Sequence, residues 1–147
     1  MFEIVEIDVP ELRRHWALFE QGLWQIIKKG DLDIIPADIY VRCVKKEVHP
    51  FVVIKESEVV GMCILRTLVD VTTGEKTLFI DHAYTLPAHN GLMEQLHHKI
   101  IELGKKMEMD NVQFESMRKG WFKLLNKIYA SGKSGWYPKH ILFQRDL

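Results

Sequence analysis

The sequence is short of several patterns, and each absence argues against a class of protein. Only two cysteines occur, Cys43 and Cys63, and both have apolar neighbours, so we expect buried free thiols and a reducing compartment such as the cytoplasm. No uncharged apolar run approaches the roughly 20 residues that span a bilayer. The N-terminal stretch lacks the basic and apolar regions of a signal peptide. We therefore expect a cytoplasmic protein with no membrane partner.

Net charge and several functional motifs are missing as well. The 20 Lys and Arg balance the 20 Asp and Glu, so no long-range attraction to nucleic acid is expected. Neither a Gly-x-x-x-x-Gly-Lys phosphate loop nor a Gly-x-Ser-x-Gly elbow occurs. Four histidines, His82, His89, His97 and His98, lie close in sequence. Neighbouring helical histidines point to different faces and no Cys or acid completes a ligand set, so we predict no metal site.

The sequence does contain enough apolar residues for one core. Apolar residues make up 47% of the 147 residues and charged residues 27%, which is typical of a globular protein and of one domain spanning 1–147. Alternating apolar and acidic residues predict a strand over 2–8. The run Asp8-Val9-Pro10-Glu11 then supplies a cap, a first-turn proline and an acid for a long amphipathic helix that extends to Gly30.

The remaining periodicity predicts eight further elements. They are a helix from Pro36 to Val48, an antiparallel meander of strands over 51–55, 59–70 and 76–86, a helix with a stripe from Leu92 to Met107, a strand over 111–115, a helix over 120–130 and a strand over 140–143. The helix between the strands 76–86 and 111–115 makes that pair parallel, because such a crossover returns the chain in the same direction.

This order of elements resembles the GNAT superfamily of acyl-CoA-dependent N-acyltransferases. The local marks are FVVIKESEVVGMCILR at 51–66 and IDHAYTLPAHNGLMEQL at 80–96. The resemblance implies an α/β fold: a single GNAT-like domain with a mixed, mostly antiparallel sheet, a splayed parallel pair and helices on both faces. Within the superfamily, the segment 116–121 and Gly135-Trp136 resemble small acetyltransferase-like proteins of tailed bacteriophages, some of which are virion components.

The second mark looks like the family's cofactor segment, in which loop amides and a helix start hold the pyrophosphate of coenzyme A. The resemblance therefore implies acetyl-CoA as cosubstrate, bound by Thr85, Leu86, Asn90, Gly91, Leu92 and Met93. The segment also departs from the family. Asn90 replaces the usual Arg or Gln, bulky residues follow Gly91, the loop is about two residues short, and Glu94 would repel a phosphate.

Candidate proton acceptors lie on the strand before this loop. Strict alternation would place Leu78, Ile80, His82 and Tyr84 on one face and Phe79, Asp81, Ala83 and Thr85 on the other. Asp81 is close to the position of the family's occasional glutamate base. It either serves as the base, directly or through a water, or pairs with a neighbouring cation. His82 is the alternative base if the faces are reversed, and otherwise a hydrogen-bonded strand residue.

The candidate acid comes from the resemblance alone. In many relatives a tyrosine in the last helix, before a Gly-aromatic pair, protonates the departing thiolate. Tyr129 has a comparable place ahead of Gly135-Trp136, although the interval is about two residues longer than usual. Ser131 or Lys133 could take that place instead, and Tyr129 would then be a packing residue.

Two functions therefore remain open. The first is an acetyl-CoA-dependent N-acetyltransferase that transfers an acetyl group directly to an amine of a small molecule or protein. The second is a catalytically inactive GNAT-fold protein, such as a phage virion or assembly component, with an assembly partner. The sequence leaves the acceptor unknown. Exposed aromatic residues in the first helix or the last strand would favour a homodimer.

Overall fold

The computed structural model describes residues 2–29, 34–87, 91–115 and 145. The chain divides into two compact units, Met1–Glu115 and Ser116–Leu147. The architecture given below is that of the first unit. The helix expected over 120–130 and the strand expected over 140–143 lie outside the described residues, and the single domain over 1–147 stays a prediction.

The first unit contains eight elements in the predicted order. They are β1 (Phe2–Glu6), α1 (Val9–Lys28), α2 (Pro36–Val44), β2 (His49–Lys55), β3 (Glu58–Val69), β4 (Lys76–Thr85), α3 (Leu92–Lys106) and β5 (Asn111–Phe114). Strand β2 begins two residues earlier than predicted and includes Pro50. Pro50 lies just beyond the last β1–β2 pair, Glu6 with Phe51, and its carbonyl accepts from the Ile7 amide at 3.1 Å, so its missing N–H ends the ladder at this point.

The five strands form one sheet in sequence order, β1-β2-β3-β4-β5. The first three pairings are antiparallel, and β4 with β5 is parallel, as the helical crossover predicted. The β2–β3 hairpin turns at Glu56 and Ser57, whose φ angles are +50° and +67°. Two consecutive left-handed residues match the twist of the adjoining strands, which explains so short a turn.

Each face of the sheet is covered by a helical layer. The face covered by α1 and α2, called the α1/α2 face, has a core of Leu12, Phe19, Leu23, Ile39, Cys43, Val48, Val52, Met62, Ile64 and Tyr84. The face covered by α3, called the α3 face, has a core of Phe51, Val53, Val60, Cys63, Leu65, Leu78, Ile80, Leu92, Leu96 and Ile100. Helices on both faces and two buried free thiols are as predicted, and the structure places one thiol in each layer.

Helix α1 is placed on the sheet by its cap and by one glycine. The Glu11 amide donates to Asp8 Oδ1 at 3.0 Å, so the predicted N-cap is present. A Cβ at Gly22 would lie 2.8 Å from the Met62 methyl and 2.9 Å from Tyr84 side-chain atoms. Only glycine allows this close approach, which holds α1 against the second half of β4.

Candidate functional site

The candidate site begins where β5 stops pairing with β4. The parallel register runs from Thr77 with Asn111 to Ile80 with Phe114, whereas β4 continues to Thr85. Among the described residues, none pairs with 81–85 on the β5 side. Where two parallel strands separate in this way, backbone groups of the longer strand have no ladder partner from the shorter strand. This separation agrees with the splayed parallel pair that the resemblance implied.

The backbone groups that face this open edge can be identified from the opposite pairing. The Leu86 amide donates to the Val60 carbonyl at 2.8 Å, so Leu86 is bonded toward β3. Hydrogen-bonding direction alternates along an antiparallel strand. Thr85 and Ala83 therefore direct their N–H and C=O groups toward the β5 side. Thr85 and Leu86 are the two predicted cofactor residues at the end of this strand. The backbone groups of Thr85 face the β5 side, whereas the Leu86 amide is bonded to the Val60 carbonyl.

A β-bulge changes the direction of the side chains at this point. Ile64 pairs with His82 but Leu65 pairs with Ile80, so Asp81 is an extra residue in β4. Consequently Ile80 belongs to the α3-face core and Tyr84 to the α1/α2-face core. The predicted strict alternation is therefore wrong beyond Ile80, because one inserted residue reverses the faces of everything that follows.

The bulge brings both candidate bases to the same side. His82 lies opposite Ile64, an α1/α2-face residue, and directly opposed residues of an antiparallel pair share a face. Asp81 is on that side too, because it meets Arg66, the neighbour of Leu65 that points away from the α3 face. Asp81 and His82 are each half-buried.

Asp81 forms a two-point ion pair, one of the two roles that the sequence allowed for it. Arg66 Nε donates to Asp81 Oδ2 at 3.1 Å, and the second guanidinium contact, from Nη2 to Oδ1, is also 3.1 Å. The Asp81 side chain is 11% exposed and the Arg66 side chain 31%. The Arg66 guanidinium also lies 4.8 Å from the centre of the Phe79 ring. This geometry fixes the carboxylate in position.

Sequence reasoning missed Arg66. It follows six consecutive buried residues of β3, from Val60 to Leu65. An arginine at the end of an apolar strand needs an anionic partner, and Asp81 lies in the strand that follows across a short turn. The sequence therefore shows that Arg66 needs an anionic partner, but it does not show the strand register that places Asp81 beside it.

Tyr84 closes the α1/α2 side of the site. Its ring is 9% exposed, and Gln21 Nε2 donates to its hydroxyl oxygen at 3.2 Å. A Cβ at Gly61 would lie 2.4 Å from the Tyr84 carbonyl oxygen, so β3 and β4 approach closely here. The end of β4 is therefore held from the β3 side and from α1, and open toward β5.

The start of α3 offers amide groups next to this edge. Gly91 is the N-cap residue, with φ +76° and no side-chain cap hydrogen bond. Only the fourth amide, that of Gln95, bonds back to the Gly91 carbonyl, at 3.1 Å. The amides of Leu92, Met93 and Glu94 thus have the orphan geometry of a helix start, which favours an anion.

Side chains at the helix start leave room before it. A Cβ at Gly91 would meet nothing within 4 Å. Leu92 is 1% exposed and belongs to the α3-face core, and Met93 packs against the same core, so neither points into the space before the helix. Glu94 Oε1 lies 3.9 Å from His98 Nε2, one turn further along the helix.

Two predicted site residues fall outside the part of the chain that the structure describes. They are Asn90, with its neighbour His89, and Tyr129. Within the described part, no group of three or more His, Cys, Asp or Glu side chains could hold a metal ion. None of the described helices has the length and apolarity needed to cross a membrane.

The buried titratable groups belong to the two layers rather than to this site. Burial raises the pKa of the Cys43 thiol to about 11, and the nearby Asp81 charge adds to that effect while Arg42 opposes it. Burial also raises the pKa of Cys63. Burial and the charge of His98 lower the pKa of His97 to about 4, so its imidazole is neutral at physiological pH.

The architecture, with its mixed five-stranded sheet, separated parallel pair and helices on both faces, is similar to the fold of several solved acetyltransferases. An aminoglycoside acetyltransferase from an uncultured soil metagenomic sample, solved with sisomicin, superposes with a TM-score of 0.69 at 13% identity, covering 99% of this chain and 96% of that one. A ribosomal-protein-alanine N-acetyltransferase from Brucella melitensis biovar Abortus 2308 gives 0.63 at 15% identity, covering 97% and 100%.

A third similar structure was solved with the cofactor. It is an aminoglycoside N-acetyltransferase in complex with CoA, with a TM-score of 0.66 and 13% identity, covering 99% of this chain and 95% of that one. No protein-family model matches the chain, and no curated protein matches it in sequence. The likeness therefore lies in the fold, and the bacteriophage resemblance stays a prediction.

Proposed function

We propose that this protein is an acyl-CoA-dependent N-acyltransferase that transfers an acetyl group directly to an amine. One observation carries the proposal: the open edge of β4 after Ile80 lies next in the chain to a helix that starts at Gly91 without a side-chain cap. An extended amide-bearing chain fits the first feature, and a phosphate fits the second. The three acetyltransferases of the same fold support this assignment.

The cofactor assignment keeps the predicted residues and gives them different tasks. Thr85 would bond the amides of the pantetheine chain, and Leu86 would contribute packing rather than its amide. Gly91, Leu92 and Met93 would hold the pyrophosphate through backbone N–H groups, next to the predicted Asn90. A Cβ at Gly91 would meet nothing within 4 Å, which supports this placement. The cosubstrate would supply an acyl group activated as a thioester.

The chain itself must then remove a proton from the amine. Asp81 and His82 remain the two candidates, and they lie on the same side of the sheet. Asp81 Oδ2 accepts a hydrogen bond from Arg66 Nε, and Oδ1 lies 3.1 Å from Arg66 Nη2, so taking a proton directly would weaken this ion pair. Asp81 would therefore act through a water or a neighbouring imidazole. Tyr129 remains the predicted acid for the leaving thiolate.

Thermal melting with and without acetyl-CoA tests the cofactor assignment. A ligand present at about 100 times its Kd adds about 2.7 kcal/mol to the stability, which corresponds to a rise of roughly 5–10 °C in the melting temperature of a domain this size. Release of free thiol across a panel of amines would then identify the acceptor. No shift at millimolar acetyl-CoA would contradict the proposal.

A matched pair of glycines controls that experiment. Gly91 and Gly74 have φ angles of +76° and +73°, and a Cβ at either meets nothing within 4 Å. Gly91→Val and Gly74→Val therefore introduce the same backbone strain in different places. We expect Gly91→Val to abolish the acetyl-CoA shift and Gly74→Val to retain it. Equal loss in both would mean that the shift reports strain and not a site.

The second candidate is a GNAT-fold protein that binds or assembles without turnover, such as a virion component. Two observations favour it. Arg66 occupies both oxygens of the candidate base, and the bulky Leu92 and Met93, followed by the acidic Glu94, form a helix start where small residues are usual. This candidate predicts no thermal shift with acetyl-CoA and no thiol release.

A further inference from the structure

The outer surface of helices α1 and α2 carries apolar side chains in contact with solvent. Trp24 is 51% exposed, Val41 46% and Val44 42%. A groove of about 450 Å³ runs between the two helices, lined by Arg13, Trp16, Glu20, Ala37, Tyr40 and Val41. We call this surface the outer helical face. Exposed apolar area of this kind, with charges at its rim, is typical of a protein contact.

The charges on this face have opposite signs and a fixed spacing. Arg13 and Glu20 are exposed residues of α1, and both line the groove. Seven residues of helix separate them by about 10 Å along the axis. Arg13 Nε donates to the Tyr40 hydroxyl at 3.2 Å, which holds the guanidinium over the groove. The midpoint between the two charges falls at Ala17, an exposed small residue that permits close helix contact.

A two-fold rotation about that midpoint makes the face complementary to itself. It places Arg13 of one copy against Glu20 of the other, and the reverse pair forms by symmetry. Two ion pairs thus follow from one rotation. The chain has a formal net charge of zero, so two copies do not repel each other as wholes.

The apolar residues match under the same rotation. Helix α1 ends at Lys28 and α2 begins at Pro36, and from this short connection we infer that the two packed helices run antiparallel, with Tyr40 beside Trp16 at a ring distance of 5.0 Å. Val44, one turn after Tyr40, therefore lies toward the Arg13 end of the face. Trp24, one turn after Glu20, lies toward the other end. The rotation brings Trp24 of one copy onto Val44 of the other.

We propose that the outer helical face is the contact of a symmetric homodimer, with α1 packed antiparallel against α1 of the second copy. The 20 residues of α1 extend about 30 Å and the 9 residues of α2 about 13 Å, so at a width of roughly 10 Å per helix the face measures about 430 Å². A footprint of this size fits a weak dimer contact, below the roughly 800 Å² per partner of a standard interface. The dimer is independent of acyl transfer and holds for either function considered above.

Sedimentation equilibrium of the purified chain tests the dimer. We expect the wild-type protein to sediment with twice the monomer mass in the micromolar range, on the order of 10 µM, as contacts of this size often do. Arg13→Glu and Glu20→Arg should each raise the dissociation constant at least tenfold, since each places like charges together twice. The double variant with both changes should return the constant to within threefold of the wild-type value.

Three further variants separate the effect of charge from those of packing and misfolding. Trp24→Ala should weaken the dimer about tenfold by removing apolar contact. Tyr40→Phe removes the hydrogen bond to Arg13 and keeps the ring, so dimerisation should persist and show that its loss in Arg13→Glu reflects charge. Val71→Ser changes a fully exposed residue elsewhere and should have no effect. Circular dichroism of each variant checks that the fold is intact.

Defined results would overturn the proposal. A wild-type protein that stays monomeric up to about 200 µM has no such contact. A dimer that ignores Trp24→Ala and both single charge changes uses another surface. A double charge variant that stays monomeric while folded would show that the two residues do not face each other across a two-fold axis.

Discussion

The two halves of β4 differ although they are one continuous strand. From Thr77 to Ile80 every residue is buried and β4 is paired on both edges. From Asp81 to Thr85 only Tyr84 is buried, and among the described residues pairing comes from β3 alone. The single extra residue at Asp81 separates the halves. We expect the first half to contribute mainly to stability, whereas the second half presents polar side chains and backbone groups. Substitutions in the first half should therefore lower the free energy of unfolding more than substitutions in the second half.

The largest effect on stability is expected from the paired half. Ile80→Ala removes a 5%-exposed side chain of the α3-face core and should lower the free energy of unfolding by about 3 kcal/mol, from lost burial plus the cavity left behind. Urea denaturation measures this change. Thr85→Ala in the open half should lower it by less than about 1 kcal/mol. Similar losses of unfolding free energy in Ile80→Ala and Thr85→Ala would contradict the difference between the two halves of β4.

Acid should weaken the paired half through His97. His97 is a buried residue of α3, with its ring 5.7 Å from that of Phe114, the residue that pairs with Ile80. Its pKa falls from 6.5 to about 4 on folding, so the unfolded chain binds the proton first. The stabilisation is complete above pH 6.5 and is lost as the pH falls toward 4. It amounts to at most about 3 kcal/mol.

The slope of stability against pH isolates this contribution. Denaturation midpoints between pH 4 and 7 should fall less steeply in His97→Gln than in the wild-type protein. The absolute stability of the variant is not the readout, because a buried glutamine has its own cost. Identical slopes would mean that His97 is protonated as readily in the folded chain as in the unfolded one.

A smaller effect is expected in the open half from the Arg66–Asp81 pair. Arg66→Met should lower the stability by about 1–2 kcal/mol, because it leaves an 11%-exposed carboxylate without its guanidinium, and Arg66 itself is partly solvated. Asp81→Asn in the Arg66→Met background should cost less than in the wild type. A double-mutant cycle by urea denaturation should give a coupling of about 1 kcal/mol. Additive changes would show that the two side chains are not coupled.

The smallest effect concerns the helix that follows the open half. Gly91→Ala should cost about 1 kcal/mol, because alanine must adopt a φ of +76° although its methyl group meets no atom. Gly74→Ala in the β3–β4 turn should cost the same, since its φ and surroundings are alike. A clearly larger loss at Gly91, measured in the same denaturant series, would indicate contacts at the helix start.

Local signals in the sequence predicted most of the architecture. The Asp8 cap, the apolar stripes of the helices and the positions of the strands each depend on neighbours within a few residues, and they were confirmed in the described residues, apart from the side-chain alternation of β4 beyond Ile80. The arrangement of the candidate site was harder to predict. The bulge at Asp81 depends on the register between β4 and β3. The same register brings Arg66 and Asp81, which are 15 residues apart in sequence, close enough to form an ion pair. The periodicity of a single strand predicts neither feature.

The two thiols provide a way to follow opening of the molecule layer by layer. Cys43 lies in the core of the α1/α2 face and Cys63 in that of the α3 face, with the sheet between them. A disulfide reagent reacts with a thiolate, and burial makes both thiolates scarce. In variants that retain one cysteine each, the labelling rate would therefore report how often that one layer detaches, and equal rates would mean that the layers open together.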